Sequence, residues 1–180
     1  MLSRGPRVII VHYVAKTAAE AAGITPVARK VLEAAEPVPP GAVWLDMIEP
    51  TVGEDQKVEL YIGCKVPSRA DPDFTEPPES YYAENGVRYL HGSFVSEPEG
   101  TPDVTGVTFV LTPTTLVTVR YDPGDAFERF GQKLCKSSAQ ALHPDAVAVG
   151  LVNTIVNRSA RALNRRGAAN ASCRTPHVGT

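Results

Sequence analysis

Carboxylates are concentrated between Asp46 and Asp103. This segment holds thirteen acidic and four basic residues, a formal charge of −9. The acidic residues are Asp46, Glu49, Glu54, Asp55, Glu59, Asp71, Asp73, Glu76, Glu79, Glu84, Glu97, Glu99 and Asp103. Hard divalent cations such as Mg²⁺ prefer oxygen ligands and keep several waters, so a carboxylate-rich surface suits weak sensing of such an ion. A solvated acidic face that binds no ion is the alternative.

Histidine and cysteine side chains could in principle form a nucleophile pair or a soft-metal site. The residues concerned are His12, His91, His143, Cys64 and Cys135. They lie in different segments, and no His-x-x-x-His or Cys-x-x-Cys spacing occurs. The sequence also lacks a Gly-x-Ser-x-Gly elbow and a phosphate-binding glycine loop with lysine. We therefore predict structural roles for these residues and no enzymatic activity. A small α/β enzyme that uses Cys64 or His91 is the alternative.

Five arginines and no carboxylate follow residue 157. They are Arg158, Arg161, Arg165, Arg166 and Arg174. Cations near the carboxyl end of a helix complement its macrodipole, which explains most of them. Attraction to anionic lipid is the alternative.

Composition and length indicate one ordinary folded domain. The chain has 180 residues and a mass of 19.3 kDa, with 43% hydrophobic and 21% charged residues. We expect the domain to span residues 1–166 and residues 167–180 to be disordered, because that tail is small and polar without apolar periodicity. The net charge of −2 argues against a nucleic-acid partner.

Compartment signals favour the cytosol. The longest apolar stretch, Val8–Ala15, is far shorter than the roughly 20 residues that span a bilayer. Three cysteines, at positions 64, 135 and 173, form an odd set without paired spacing, so we expect free thiols.

The first third of the chain contains two predicted strands and two predicted helices. Val8–Val14 and Val43–Ile48 are apolar runs typical of buried strands. Thr25 and Pro26 predict the start of a helix that runs through Ala35. Thr51 and Glu54 match a capping box for a helix to about Ile62, with Gly63 as its left-handed cap.

Hairpins are predicted in the middle of the chain. The four prolines between Lys65 and Ser80 indicate a loop or broken helix. Asn85 and Gly86 favour a tight turn that leads into the strand Val87–Val95. Two further β-rich runs, Val107–Leu111 and Leu116–Tyr121, flank a polar turn.

The last third is predicted to be helical. Asp122 and Pro123 resemble an N-cap and first residue for a helix to about Leu134. Pro144 starts the last helix, in which Val152, Ile155, Val156, Ala160 and Leu163 share one face that needs a partner. The mixed order of elements predicts an α/β fold, an α/β/α sandwich around a mixed, largely antiparallel sheet.

Several segments, in order, resemble the amino-terminal cytosolic domain of the CorA family of magnesium and cobalt transporters. They are Val43-Trp44-Leu45-Asp46, Pro50-Thr51 with Glu54, Val66-Pro67-Ser68-Arg69, Tyr82 with Glu84-Asn85-Gly86, the two runs 107–111 and 115–121, and Gly150-Leu151 through Leu163. The resemblance covers about residues 43–163. It implies a regulatory, ion-sensing cytosolic domain with no required cofactor, which assembles with its own transporter subunits into a homopentamer.

The family's divalent-cation site lies between subunits and uses an aspartate from the acidic region. The resemblance places Asp71 there, with Asp73 nearby, as weak Mg²⁺ ligands.

The family's Gly-Met-Asn pore motif cannot occur in these residues, because the only methionines are Met1 and Met47. We therefore expect a chain that conducts no ions, either a transporter fragment or a shortened relative, which meets the membrane only through missing carboxyl-terminal helices. The isolated chain should be a monomer or weak dimer. The zinc-transporting branch of the superfamily and a stand-alone module that regulates full-length transporter are alternatives.

Overall fold

The computed structural model describes residues 8–14, 27–67, 80–96, 103–122, 124–136 and 143–172, with the backbone alone given at 96, at 162 and from 165 to 172. The strands are β1 (Val8–Val14), β2 (Val27–Leu32), β3 (Ala42–Ile48), β4 (Tyr81–Glu84), β5 (Val87–Ser96), β6 (Asp103–Leu111) and β7 (Leu116–Arg120). The helices of the described part are α1 (Val52–Ile62), α2 (Asp125–Leu134) and α3 (Pro144–Ser172).

The strands form one mixed sheet in the order β2-β1-β3-β7-β6-β5-β4. All neighbouring pairs are antiparallel except β3 and β7, which run parallel. Helix α1 packs through Val58 on one face of the sheet, among Val11, Leu45 and Val117. Helices α2 and α3 pack on the other face, where Phe127 and Leu151 belong to a second apolar cluster. The predicted α/β/α sandwich around a largely antiparallel sheet is confirmed.

Strand β2 corrects the predicted helix between Thr25 and Ala35. All six residues from Val27 to Leu32 pair antiparallel with β1. Thr25 and Pro26 lie outside the described residues. Val27 is buried on the α2 side of the sheet and Leu32 on the α1 side. Strand pairing prevails because β1 is a buried strand whose backbone groups on this side require partners.

Local signals around α1 and the hairpins are confirmed. Thr51 accepts from the backbone nitrogen of Glu54, whose side chain in turn accepts from the Thr51 backbone, and Gly63 adopts φ 73° as the left-handed cap. Asn85 and Gly86 have φ values of 50° and 79° at the turn between β4 and β5. Strands β6 and β7 form the second predicted hairpin. Residues 68–79, which carry most of the predicted proline loop, lie outside the described residues.

Helix α2 begins later than predicted. Its N-cap is Gly124 and not Asp122, although its last residue is Leu134 as expected. The Asp122 carboxylate instead accepts a hydrogen bond from the Thr105 hydroxyl, and the Asp122 carbonyl accepts one from Arg120 Nη1 at 2.5 Å. Asp122 therefore joins the ends of β6 and β7, and the helix starts beyond it.

Helix α3 begins at Pro144 as predicted but buries a different face. Val147, Ala148, Leu151 and Ile155 are buried, and of the predicted apolar face only Ile155 is among them. The reason is steric fit, because Gly150 lets α3 approach Phe130 of α2 closely. The helical backbone continues to Ser172, past the domain boundary predicted at residue 166, and residues 173–180 lie outside the described residues.

Candidate functional site

The predicted metal ligands Asp71 and Asp73 lie outside the described residues. Within the described ranges, no group of three or more His, Cys, Asp or Glu side chains is arranged to hold a metal ion. Seven of the thirteen carboxylates of the predicted acidic surface lie in the described residues.

Three of those carboxylates already have structural partners. Glu54 caps α1, and Glu59 accepts from the backbone nitrogen of Val66 and from Lys65 at 3.1 Å each. Asp46 lies in the interior, paired with Arg120. By contrast, Glu84 and Asp103 are exposed and remain candidates for a solvated acidic face.

Asp46 lies at the centre of a buried polar network that spans β3 and β7. Its Oδ1 accepts from Thr118 Oγ1 at 2.8 Å and from Arg120 Nε at 3.0 Å, and its Oδ2 accepts from Arg120 Nη2 at 2.8 Å. Trp44 Nε1 donates to Thr118 Oγ1 at 3.0 Å, and Arg120 packs over the Phe127 ring with its guanidinium carbon 4.3 Å from the centroid. Both carboxylate oxygens are thus occupied, so this network holds the sheet and α2 together and offers no open ligand position.

His12 lies beside this network in the same buried layer. Its ring stacks on Trp44 with centroids 4.4 Å apart, and neither ring nitrogen has a hydrogen-bond partner within the described structure. Burial lowers the pKa of His12 to about 4, outweighing the attraction of Asp46 for the charged form. The imidazole is therefore neutral at pH 7. Gly131 of α2 lies directly against the ring, since a Cβ added there would be 2.7 Å from His12 Nε2.

The predicted soft-metal or nucleophile set does not come together as one constellation in the described residues. Burial raises the pKa of both Cys64 and Cys135 above the ordinary thiol value, the reverse of an activated nucleophile. His91 shares a hydrogen bond between Nδ1 and Thr108 Oγ1 at 3.0 Å, and burial lowers its pKa. His143 is exposed and lies 3.5 Å from an Asp145 oxygen. Both described cysteines are free thiols, as predicted.

The first of the carboxyl-terminal arginines is an anchor between helices. Arg158 of α3 reaches across to α2, where its Nε lies 3.1 Å from Asp125 Oδ1 and its Nη2 binds Asp125 Oδ2. Asp125 is in the first turn of α2, where a negative charge complements the helix dipole. This pairing was not predicted, and no local motif points to it.

No helix of the described part is long and apolar enough to cross a membrane. Sequence comparisons give no match: no protein-family model and no curated protein matches the chain.

Comparison of the fold with solved structures does give matches. The CorA magnesium transporter from Methanocaldococcus jannaschii, as a complete structure, aligns with a TM-score of 0.63 and 13% identity over 91% of this chain and 49% of its own. The soluble domain of CorA from the same organism aligns with a TM-score of 0.57 and 13% identity over 93% of this chain and 63% of that one. The ZntB cytoplasmic domain from Vibrio parahaemolyticus aligns with a TM-score of 0.53 and 15% identity over 83% of this chain and 58% of that one.

The chain thus spans about half the length of the complete transporter and less than two thirds of the soluble domains that it matches. At 13–15% identity the likeness concerns the fold, and it extends over nearly all of this chain. The resemblance predicted from the sequence is confirmed at this level: the chain has the fold of the soluble domain of CorA.

Proposed function

We propose that the chain is the cytoplasmic, ion-sensing regulatory domain of a CorA-like divalent-cation transporter and that it has no enzymatic activity. The observation that carries the proposal is the alignment of its fold with the CorA soluble domain over 93% of the chain. In this proposal the transport path is formed by membrane helices outside the domain, and the domain assembles with its own kind into a pentamer.

The genomic coding sequence past codon 180 provides the most direct test. A continuing reading frame with two apolar stretches of roughly 20 residues and a Gly-Met-Asn motif would support the transporter assignment. A stop codon at that point would contradict a role within one transporter polypeptide. The remaining candidate would then be the stand-alone module that binds full-length subunits.

The proposed ion is Mg²⁺, with Asp71 and Asp73 as candidate ligands at a site shared between subunits. A single domain supplies only part of such a site, so binding to the isolated chain should be weak, in the millimolar range. Titration calorimetry of the 180-residue chain with Mg²⁺ tests this. The double variant Asp71→Asn, Asp73→Asn should lose the weak signal, whereas Asp103→Asn, which removes an exposed carboxylate elsewhere, should keep it. Micromolar binding to the isolated chain would contradict the shared site.

The likeness to the ZntB cytoplasmic domain favours one second candidate, a zinc-handling transporter domain. Zn²⁺ prefers nitrogen and sulfur ligands, whereas Mg²⁺ takes oxygen ligands. A site built for zinc should therefore bind Zn²⁺ in preference to Mg²⁺. Titration of Zn²⁺ into chain already exposed to Mg²⁺ separates them. Displacement of Mg²⁺ at low Zn²⁺ concentration favours the zinc branch.

The proposed absence of enzymatic activity can be tested by the reactivity of the thiols. Because burial raises the pKa of Cys64 and Cys135, both should react slowly with iodoacetamide at pH 7. Rapid modification of either one below pH 8 would instead favour a cysteine-dependent enzyme.

A further inference from the structure

His12 is buried in β1 without a polar partner. It is 1% exposed, and neither Nδ1 nor Nε2 has a hydrogen-bond partner within the described structure. A neutral imidazole has one N–H donor and one acceptor nitrogen, whereas a protonated ring has two donors and a positive charge. A proton on His12 would therefore bring a charge and a second donor into a site without an acceptor, which is unfavourable unless water reaches the ring.

The ring has close neighbours on three elements. Trp44 of β3 stacks on it with centroids 4.4 Å apart and is itself fully buried. Gly131 of α2 lies against its edge, because a Cβ added there would be 2.7 Å from His12 Nε2. On β2, Arg29 lies directly opposite His12 in the strand register, and β2 is the terminal strand of the described sheet. The ring is therefore closest to solvent on the side of Arg29.

A surface ion pair, here called the β2–α2 seam, closes that side. It joins Arg29 of β2 to Glu128 of α2, with Nη2 2.6 Å from Oε2. The two side chains are 33% and 45% exposed. Glu128 lies three residues before Gly131 and so on the same side of α2. Because exposed ion pairs contribute little to stability, separating Arg29 from Glu128 costs little free energy.

The charged groups that act on His12 are Arg29, Asp46 and Glu128. Asp46 is already engaged, because Arg120 binds both of its carboxylate oxygens inside the sheet. The other two groups form the seam, and a positive ring would repel Arg29 and attract Glu128. Protonation of the ring thus pulls the two members of this ion pair apart.

We propose that protonation of His12 opens the β2–α2 seam to water and that this opening is local. Helix α2 itself stays in place, because Phe127 and Phe130 are buried in the apolar cluster beneath it and Asp125 binds Arg158 of α3. The linkage is reciprocal, since an open seam also raises the affinity of the ring for the proton. Mild acid should therefore loosen the contact between β2 and α2 before the fold as a whole unfolds. The proposal depends only on the isolated chain and not on the transporter role.

Cys135 is positioned to report the opening. It stands one turn beyond Gly131, whose carbonyl accepts from the Cys135 backbone nitrogen at 3.1 Å. Arg29 and Glu128 both act on its partly buried thiol, which places Cys135 beside the seam. Cys64 is a matched internal control, because it is also a partly buried free thiol but packs against the apolar cluster on the opposite face of the sheet.

Thiol reactivity of the 180-residue Cys173→Ser variant at pH 7 and pH 5 tests the proposal. The reagent is dithiodipyridine, and each rate is divided by that of free cysteine at the same pH. Mass spectrometry of peptides assigns each rate to its cysteine. The Cys135 rate should rise at least about tenfold from pH 7 to pH 5, because the open form binds a proton that the closed form rejects. The Cys64 rate should change by less than about twofold, because the opening does not reach its face of the sheet.

Variants identify the group responsible. His12→Phe keeps a ring against Trp44 without a proton site, so its Cys135 rate should be equal at the two pH values. Arg29→Gln removes one side of the seam and should raise the Cys135 rate already at pH 7. Lys30→Gln is the matched control and should leave that rate unchanged, since Lys30 also forms an exposed ion pair from β2.

Any of three results would overturn the proposal. They are a Cys135 rate that does not rise in acid, an equal rise for Cys64 and Cys135, which would indicate unfolding of the whole chain, and a rise that His12→Phe retains. Circular dichroism shows whether His12→Phe keeps the native fold. If it does not, the comparison of Arg29→Gln with Lys30→Gln decides, and equal Cys135 rates in these two variants at pH 7 would contradict the role of the seam.

Discussion

Arg120 binds Asp46 at two points inside the sheet, with Nε 3.0 Å from Oδ1 and Nη2 2.8 Å from Oδ2. The two side chains are only 3% and 2% exposed. They come from β7 and β3, which run parallel, unlike the other neighbouring pairs of the described strands. Because Arg120 also donates to the Asp122 carbonyl and packs over Phe127, one guanidinium connects β3, β7 and α2.

Asp46→Asn should strongly destabilise the fold. The substitution leaves the Arg120 charge buried without its counter-charge, which typically costs about 3–5 kcal/mol. The free energy of unfolding from urea titration, followed by circular dichroism, measures the loss. Asp103→Asn, on an exposed carboxylate, should change it by less than about 0.5 kcal/mol.

The double variant Asp46→Leu, Arg120→Met separates charge burial from packing. Because replacing both members of a buried ion pair by apolar residues is often neutral, the double variant should be more stable than Asp46→Asn alone. A double variant less stable than the single one would show that the hydrogen bonds to Thr118 and to the Asp122 carbonyl matter more than the charges.

His12 should make the fold sensitive to mild acid. Its pKa is about 4 in the folded chain against an ordinary value of 6.5, so the unfolded chain binds the proton first as the pH falls. The contribution of neutral His12 to the free energy of unfolding is fully present above pH 6.5. It is lost as the pH falls from 6.5 to 4, by about 3 kcal/mol in all. Asp46, Arg29 and Glu128 are the charged groups that act on the ring, with the two carboxylates favouring its protonation and Arg29 opposing it.

Urea titrations at several pH values between 4 and 7 measure this dependence. His12→Phe keeps an aromatic ring against Trp44 and removes the titrating group, so its stability should fall less over the same range. Equal slopes for the wild type and the variant would mean that other groups, and not His12, set the acid sensitivity.

The elements predicted correctly are those specified by neighbouring residues. The capping box of Thr51 and Glu54 and the turn at Asn85 and Gly86 need only their own side chains and dihedral angles, and both are present. The helix predicted through Ala35 is wrong over Val27–Leu32, because these residues form a strand with a partner elsewhere in the chain. The six residues from Val27 pair with β1, and Arg29 reaches across to Glu128 of α2 at 2.6 Å. A short stretch of sequence does not predict which strands pair with each other.

The candidate site was only partly accessible from the sequence. Asp46 stands in an otherwise apolar run and Arg120 in another, a pattern that indicates a charge buried in a strand. Asp46 is accordingly an interior residue and not part of the acidic surface predicted between Asp46 and Asp103. Pairing it with Arg120, 74 residues away, required the parallel contact of β3 with β7. The same holds for α3, because its apolar positions are visible in the sequence but the contact with the sheet and α2 decides that Leu151 is buried and Val152 is exposed.

Thr51→Ala should weaken the start of α1. The hydroxyl accepts from the Glu54 backbone nitrogen at 3.3 Å, and its loss should cost about 1 kcal/mol. Glu54→Gln should cost less, because glutamine can complete the same capping box. Thermal unfolding of the two variants compares them. A larger effect of Glu54→Gln would show that the negative charge at the helix start matters more than the hydrogen bonds.

Gly131→Ala tests how tightly α2 closes over His12. Alanine is normally favoured over glycine inside a helix by about 1 kcal/mol. At position 131, however, an added Cβ would lie 2.7 Å from His12 Nε2 and 3.6 Å from Trp44, so the stacked rings would have to shift. We expect a loss of about 1–3 kcal/mol, typical of overpacking, in the free energy of unfolding. Gly53→Ala on α1 is the control, since nothing lies within 4 Å of its Cβ position, and it should be neutral or stabilising. Because the rings of His12 and Trp44 cause the clash, combining Gly131→Ala with His12→Ala should recover part of the loss, and a purely additive double variant would place the clash elsewhere.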